Sequence, residues 1–445
     1  MSLDRAQPDA QPLTSVDELV AYFRAAERPG GPRCVGLEHE KLIYPVNSDQ
    51  PVPYEGERSI SAVLGALQTF QYQPFRDSPG GPVIALTRGK STISLEPGGQ
   101  LELSGAPAST ARAVHQENLA HIAEVKKACG PLGLRAVALG YRPVGTVAQI
   151  PWMPKTRYQA MRETLSKRGK LALDMMLMTA TGQVSFDWSD EADCSRLVTA
   201  AARLSPLLVA LYANSPIVRG KDSGRMSYRS FVWTDVDPTR CGYLPSMLDG
   251  SFSYRAYTEW ALDAPLLFLR RRGQYLRPNL TFRRLLKEGF EGEPAMYSDW
   301  VDHLSTLFPE VRIKKVMEIR CADCVSAELT GALAALLRGI FYDRGALSEL
   351  DELLPPISYS DQLEFHLEAG LRGLRGTFRK RPLARLCQEL IAISERGLRR
   401  LDPADAALLQ PLAALAASER SPAERVLEVW KRVGAGPELL SHFEL

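Results

Sequence analysis

The chain has 445 residues, a net charge of +2, 45% hydrophobic and 24% charged residues. That length allows two or three domains or one large one, and the composition is that of a globular protein rather than a disordered or fibrous one. The near-neutral charge gives no reason to expect nucleic acid or an acidic membrane as partner, and no run approaches the ~20 apolar residues of a membrane span.

Residues 1–14 are polar and predict a disordered tail, without the apolar stretch of a signal peptide. Ser15, with Glu18 three positions on, caps a helix over 15–27. An apolar strand over 35–44 carries Glu38 and Glu40. A helix is predicted over 60–70, strands near 83–86 and 92–103, and a long amphipathic helix over 108–129. Residues 134–139 read as a strand and 157–165 as a helix. Residues 173–180 predict the first strand of a pair, with 183–188 alternating cleanly as its partner. The alanine-rich stretch 191–214 is a helix stopped by Asn214-Ser-Pro216. Residues 220–245 form a polar loop with Arg225, Arg229, Arg240 and Trp233, suited to gripping a small anion. Beyond about 346 strand signals nearly vanish, and the last helix is opened by Ser421-Pro-Ala-Glu424. This order predicts an α+β fold with one large, mainly antiparallel sheet and a helical C-terminal portion.

The chemistry lies on the strands. The run 93–107 sets Glu96 and Glu102 in an apolar frame broken by Pro97-Gly98-Gly99. Glu38 and Glu40 stand at i, i+2, on one face of a strand, and so do Glu318 and Arg320. A single acid pair of this kind is usually a solvated strand face. Here the flanks are apolar and the pattern recurs. An isolated buried charge is very costly, so the acids ask for a metal, an arginine or a substrate cation. Oxygen ligands suit Mg²⁺, which bridges to substrate phosphates.

Other motifs fail. Gly89-Lys90-Ser91 resembles the end of a P-loop, but Ile84 stands where the first glycine should be. Lys90 is kept only as a contact to nucleotide phosphate. Nothing supports nucleophilic covalent catalysis. His39 faces away from its neighbouring glutamates and reads as a structural partner. Seven scattered cysteines predict a reduced, cytosolic protein, with Cys321 and Cys324 as incidental thiols. Arg270-Arg271-Arg272 and Arg379-Lys380-Arg381 read as solvated faces. What survives is an acid-lined, arginine-flanked sheet that would hold Mg²⁺ with a nucleoside triphosphate and a second anionic substrate.

The motifs resemble the plant and proteobacterial type of glutamate–cysteine ligase. The matching pieces include Gly36-Leu-Glu-His-Glu-Lys41, the run 93–107, Met153-Pro-Lys-Thr-Arg-Tyr158, Leu173-Asp-Met-Met176, Ala213-Asn-Ser-Pro216, Tyr228-Arg-Ser230, Trp233-Thr-Asp235, Phe308-Pro-Glu-Val-Arg312, Glu318-Ile-Arg320 and Pro422-Ala-Glu-Arg425. They span nearly the whole chain. The resemblance implies a glutamine synthetase-like fold, its antiparallel sheet curled into an open funnel. It implies a disordered tail at 1–14, a catalytic domain at 15–345 and the helical C-terminal portion at 346–445. ATP would phosphorylate the γ-carboxylate of glutamate, and cysteine would attack to give γ-glutamylcysteine, the first step of glutathione synthesis. Glu38, Glu40, Glu96, Glu102 and Glu318 are similar to the family's ligands for two or three Mg²⁺ ions, with Mn²⁺ as a substitute and Gln183 as a further ligand. Arg229 resembles the arginine that holds the glutamate α-carboxylate, and Arg320 the one that faces the transferred phosphoryl group. Thr179, Thr181, Tyr228 and Trp233 would line the substrate pocket. The redox disulfide of plant members would be absent, because Asn118 and Gly331 stand at its positions. The start without a transit peptide suits a cytoplasmic enzyme, monomeric or homodimeric. The same chemistry with another amine acceptor, or for another thiol such as ergothioneine, and a non-catalytic binding protein derived from a ligase are the competing readings.

Overall fold

The computed structural model describes residues 11–445. Its centre is a nine-stranded sheet. The strands are β1 (Val35–Pro45), β2 (Gln73–Phe75), β3 (Ala85–Arg88), β4 (Ser91–Leu95), β5 (Leu101–Ser104), β6 (Leu134–Val137), β7 (Gly182–Phe186), β8 (Val311–Ile313) and β9 (Met317–Ile319). The order is β8-β9-β7-β1-β5-β4-β3-β2, with β6 pairing the far end of β1. Every pairing along it is antiparallel, and the edge strands β8 and β2 do not pair with each other, so the sheet is open.

β1 is the hub. Its alternation sends Glu38 and Glu40 to one face and His39 and Lys41 to the other. On the second face His39 Nδ1 lies 3.1 Å from Asn118 Oδ1, and His39 Nε2 lies 3.0 Å from Val325 O. The helices Ala111–Cys129 and Ala327–Phe341 form that backing layer.

The helix Glu191–Tyr212 is long and apolar enough to cross a membrane by length and composition, but it is enclosed by the main core. The C-terminal helices join the same core: Leu386 and Leu390 of Leu383–Leu401 belong to one apolar cluster with Leu204 and Leu333. A polar tie reinforces it. The buried Asp405 carboxylate accepts from Ala111 N at 2.8 Å and Arg112 N at 3.0 Å, capping the Ala111–Cys129 helix. It also meets Arg338 Nη1 at 3.0 Å.

Two expectations need correction. Residues 173–180 do not open a strand pair: Ala172–Met178 is a helix. Its Leu-Asp-Met-Met-Leu-Met run is unbranched at Cβ and favours helix, and β7 pairs instead with β1 and β9. The predicted disordered tail lies outside the described residues up to position 10, but Leu13 is buried and its amide donates to Ala295 O at 2.7 Å.

Asp405→Ala removes the acceptor of the first two helix amides and leaves Arg338 without its buried carboxylate partner. It should cost about 3–5 kcal/mol, read as a lower midpoint in urea; a midpoint unchanged from the parent would contradict this account of the C-terminal helices.

Candidate active site

One face of the sheet opens onto a cavity of about 200 Å³ whose walls include Glu38, Glu40, Glu96, Glu102, Gln183 and Arg320. Backbone register explains the meeting. Glu40 on β1 pairs directly with Glu102 on β5, and Glu38 pairs with Gln183 on β7, so each pair shares one face of the sheet. Glu96 enters from the β4–β5 turn. That turn is tight because Gly99 takes φ +81° and Gly98 lies against Leu177 O, where a Cβ would not fit.

Arg229, Thr179, Thr181 and Trp233 also line the cavity. Glu318 stands beside it on β9. Lys90 does not reach it: it is exposed in the β3–β4 turn, at the opposite end of that hairpin from Ile84 and Glu96. Tyr228 is also outside the lining; its ring packs edge-on against Tyr141 at 5.0 Å.

The acids differ in how they are held. Glu318 is saturated with cations. Arg312 Nε lies 2.5 Å from it, Lys314 Nζ 3.0 Å and Arg320 Nη1 3.7 Å. Burial opposes its ionisation, but the three cations outweigh burial and hold its carboxyl far below the ordinary range. Both of its oxygens are engaged by these cations. Gln183 Oε1 accepts from Arg320 Nη1 at 2.7 Å.

On the other wall burial raises three of the four acids. Burial, Glu102 and Glu96 raise the pKa of Glu40 well above its usual value, although Thr181 N donates to it at 2.9 Å. Burial first, then Glu102, raises Glu96 to about 7, and its Oε1 is buried without a hydrogen-bond partner. Burial also raises Glu38, which accepts from Ser104 Oγ at 3.2 Å. Glu102 accepts from Ser94 Oγ at 2.8 Å.

Among the described residues these acids ring the wall without three closing on a single point. They nevertheless fit a hard cation. The donors are all carboxylate oxygens, one buried oxygen has no partner, and burial disfavours their charge until a cation is added.

Two arginines face the acids. Arg229 Nη2 donates to Arg320 O at 2.8 Å and Nη1 to Cys321 O at 3.2 Å, while its buried Nε has no partner. The Trp233 ring lies 5.9 Å from the Arg229 guanidinium and 6.0 Å from that of Arg320, within cation–π range of both. Burial lowers Arg320 to about 10, which leaves it charged at neutral pH.

Several lining residues carried no assigned role in the sequence. Arg312 on β8 and Lys314 just after it repeat the i, i+2 spacing that marked Glu38 and Glu40, a signal that was available. Lys155 and Arg157 come from the Met153–Tyr158 motif; Lys155 Nζ donates to Leu95 O at 2.6 Å. Arg270 is not a solvated face residue: it lines the cavity, 3.7 Å from Asp302. Cys321 and Cys324 are both buried and free.

A family profile described as Glutamate-cysteine ligase family 2 (GCS2) matches residues 34–435. The chloroplastic glutamate–cysteine ligase of Brassica juncea is 36% identical over 425 residues, covering 94% of this chain and 82% of that protein. The chloroplastic enzyme of Arabidopsis thaliana is also 36% identical, covering 94% and 80%. Among solved structures, a glutamate–cysteine ligase from Francisella tularensis in complex with AMP superposes with a TM-score of 0.59 at 12% identity, covering 94% of this chain and 88% of that one. At that identity the likeness shows the fold. The expected cytoplasmic location does not stand against these relatives, which are chloroplastic and point to a plastid.

The raised Glu96 gives a pH test. Its carboxyl moves from 4.5 to about 7 on folding, so the folded chain binds the extra proton between those values. The contribution of Glu96 to metal-free stability is therefore fully present below pH 4.5 and lost as pH rises through about 7. A divalent cation must displace that proton. Mg²⁺ should thus raise Tm more at pH 8 than at pH 6; equal shifts would refute the assignment of Glu96 to the cation site.

Proposed function

Because the chain belongs to glutamate–cysteine ligase family 2, we propose that its acid-lined cavity is where glutamate is activated and joined to cysteine. The protein is an ATP-dependent ligase that forms γ-glutamylcysteine in glutathione synthesis. The γ-phosphoryl group of ATP passes to the γ-carboxylate of glutamate. The cysteine amine then attacks the acyl phosphate carbon, a C–N bond forms, and phosphate leaves with the C–O bond. No protein nucleophile is needed.

The observation that carries this reading is the division of the cavity into two charge environments. Glu38, Glu40, Glu96 and Glu102 face the cavity, and burial raises Glu38, Glu40 and Glu96 above the ordinary carboxylate range, whereas Arg312 and Lys314 hold Glu318 below it. They would hold the divalent cations, two or three in number. Bound Mg²⁺ would neutralise the phosphate oxygens and favour their transfer. Glu318 instead organises Arg312, Lys314 and Arg320 into one cationic strip. Within it Gln183 orients Arg320 through the 2.7 Å bond, so that its guanidinium can meet the charge that develops on the phosphoryl group. Arg229 would hold the α-carboxylate of glutamate. Its unpartnered Nε supports that role, and its bonds to two backbone carbonyls fix the side chain before substrate arrives. Thr179, Thr181 and Trp233 complete the pocket wall.

Phosphate release from ATP, with Mg²⁺ and glutamate present, should be stimulated by cysteine. A failure of cysteine to stimulate it would sink this reading. Glu102→Ala should abolish turnover while the far-ultraviolet circular dichroism stays that of the parent. Arg320→Met should lower kcat by roughly 10²–10³-fold. Turnover at the parent rate in either variant would refute the corresponding role.

A further inference from the structure

The segment that follows Arg320 carries a buried carboxylate to which the reaction described above gives no part. Asp323 is 1% exposed and stands outside the lining of the acid-lined cavity. Asn214 N and Ser215 Oγ donate to its Oδ2 at 2.8 and 2.6 Å, and Ser227 Oγ donates to its Oδ1 at 2.9 Å. Gly140 packs so closely against the same side chain that a Cβ there would not fit. The Asp323 backbone bridges to Thr181, and Thr181 Oγ1 donates to Ala322 O at 2.6 Å. Four separate stretches of chain thus meet at this one acid.

Both serines act in turn on the helix that carries Arg229. Ser227 is the N-cap of Tyr228–Val232, its Oγ accepting from Ser230 N at 3.1 Å. Ser215 Oγ accepts from Arg229 N at 3.0 Å, and Ser215 O accepts from Tyr228 N at 3.1 Å. A serine hydroxyl has one proton and two lone pairs, and it rotates to suit its neighbours. Asp323 takes the proton of each hydroxyl, which turns the lone pairs toward these backbone amides.

The far end of Arg229 is held by the same segment, through the bonds of its guanidinium to Arg320 O and Cys321 O. Arg229 Nη1 lies 4.0 Å from Asp323 Oδ1. That is too long for a hydrogen bond, so the carboxylate sits beside the guanidinium without occupying its donors. Asp323 therefore bears on Arg229 at both ends, at the backbone through two serines and at the guanidinium through its own charge.

We propose that Asp323 is a positioning residue for the glutamate subsite, fixing Arg229 so that the α-carboxylate of glutamate meets a guanidinium already aimed. The inference rests on the reading of Arg229 given under the proposed function. Asp323 touches no substrate and acts through Ser215, Ser227 and Arg229.

Steady-state kinetics of the full chain, with glutamate and ATP varied in turn, test this. Asp323→Asn sets an amide NH2, a donor, against one of the two serines. It should raise the KM for glutamate about tenfold, the scale of one hydrogen bond to a charged group, and leave the KM for ATP at the parent value. Ser215→Ala breaks the link between Asp323 and Arg229 N, and should raise the same KM by less. Asp323→Asn added to Arg229→Met should raise the glutamate KM no further than Arg229→Met alone, because the two residues act as a unit. A rise in both KM values together in Asp323→Asn, additive effects in the double variant, or a parent-like glutamate KM in both Asp323→Asn and Ser215→Ala would overturn the proposal. Should Asp323→Asn fail to fold, Ser215→Ala alone decides. A parent-like glutamate KM in Arg229→Met would instead overturn the reading of Arg229, and this inference with it.

Discussion

Like charge gathered on one buried sheet face is the constraint around which this protein is organised. Glu38, Glu40, Glu96 and Glu102 open onto the same cavity, and Glu318 stands on the next strand but one from β1. Burial penalises each of them, and each worsens its neighbours. The sheet meets this in two ways. On the β8–β9 side it builds the counter-charge into the hairpin, with Arg312 opposite Glu318 in register. On the β1–β5 side hydroxyls of Ser94 and Ser104 and the amide of Thr181 bond the acids, and Glu38, Glu40 and Glu96 stay raised above the ordinary carboxylate range. The first arrangement is complete in the protein alone. In the function proposed above, the second would be completed by the cations that bind.

Much of this was legible in the sequence because strand periodicity is strict. Glu38 and Glu40 had to share a face, and so did Glu318 and Arg320; the flanking Val35, Leu37 and Ile43 marked the strand as buried. The capping box at Ser15 and Glu18 is present as written, with Glu18 Oε2 accepting from Ser15 N at 3.0 Å. What periodicity cannot report is which partner a side chain finds across the sheet. Gln183 has the polar character of a ligand, and only the register that brings Arg320 to it shows that its oxygen is used. Lys90 failed for a similar reason: a hairpin has two ends, and sequence does not say which one faces the cavity. The 173–180 stretch failed because a short apolar run has no decisive period.

The C-terminal helices show a different kind of dependence. Asp405 caps the helix that backs β1, and Arg338 joins the two. The backing helix carries Asn118, which holds His39 between the two cavity-facing glutamates of β1. A chain of ordinary contacts thus runs from the helical portion to the strand that presents Glu38 and Glu40. The site's geometry is set as much by this buttress as by the sheet.

The central position of β1 has a consequence for how the chain must be made. Its partners lie at 101–104, 134–137 and 182–186, and the cationic hairpin that completes the face comes at 311–319. Pairings this distant in sequence form late, because the intervening loops must be ordered first. During synthesis the glutamates of β1 therefore emerge long before the cations of β8. The four cavity-facing acids all lie within residues 38–102, so pairing of β1 with β5 brings them together before the cations around Glu318 are made. The acid-lined wall thus precedes its cationic neighbour in the order of synthesis.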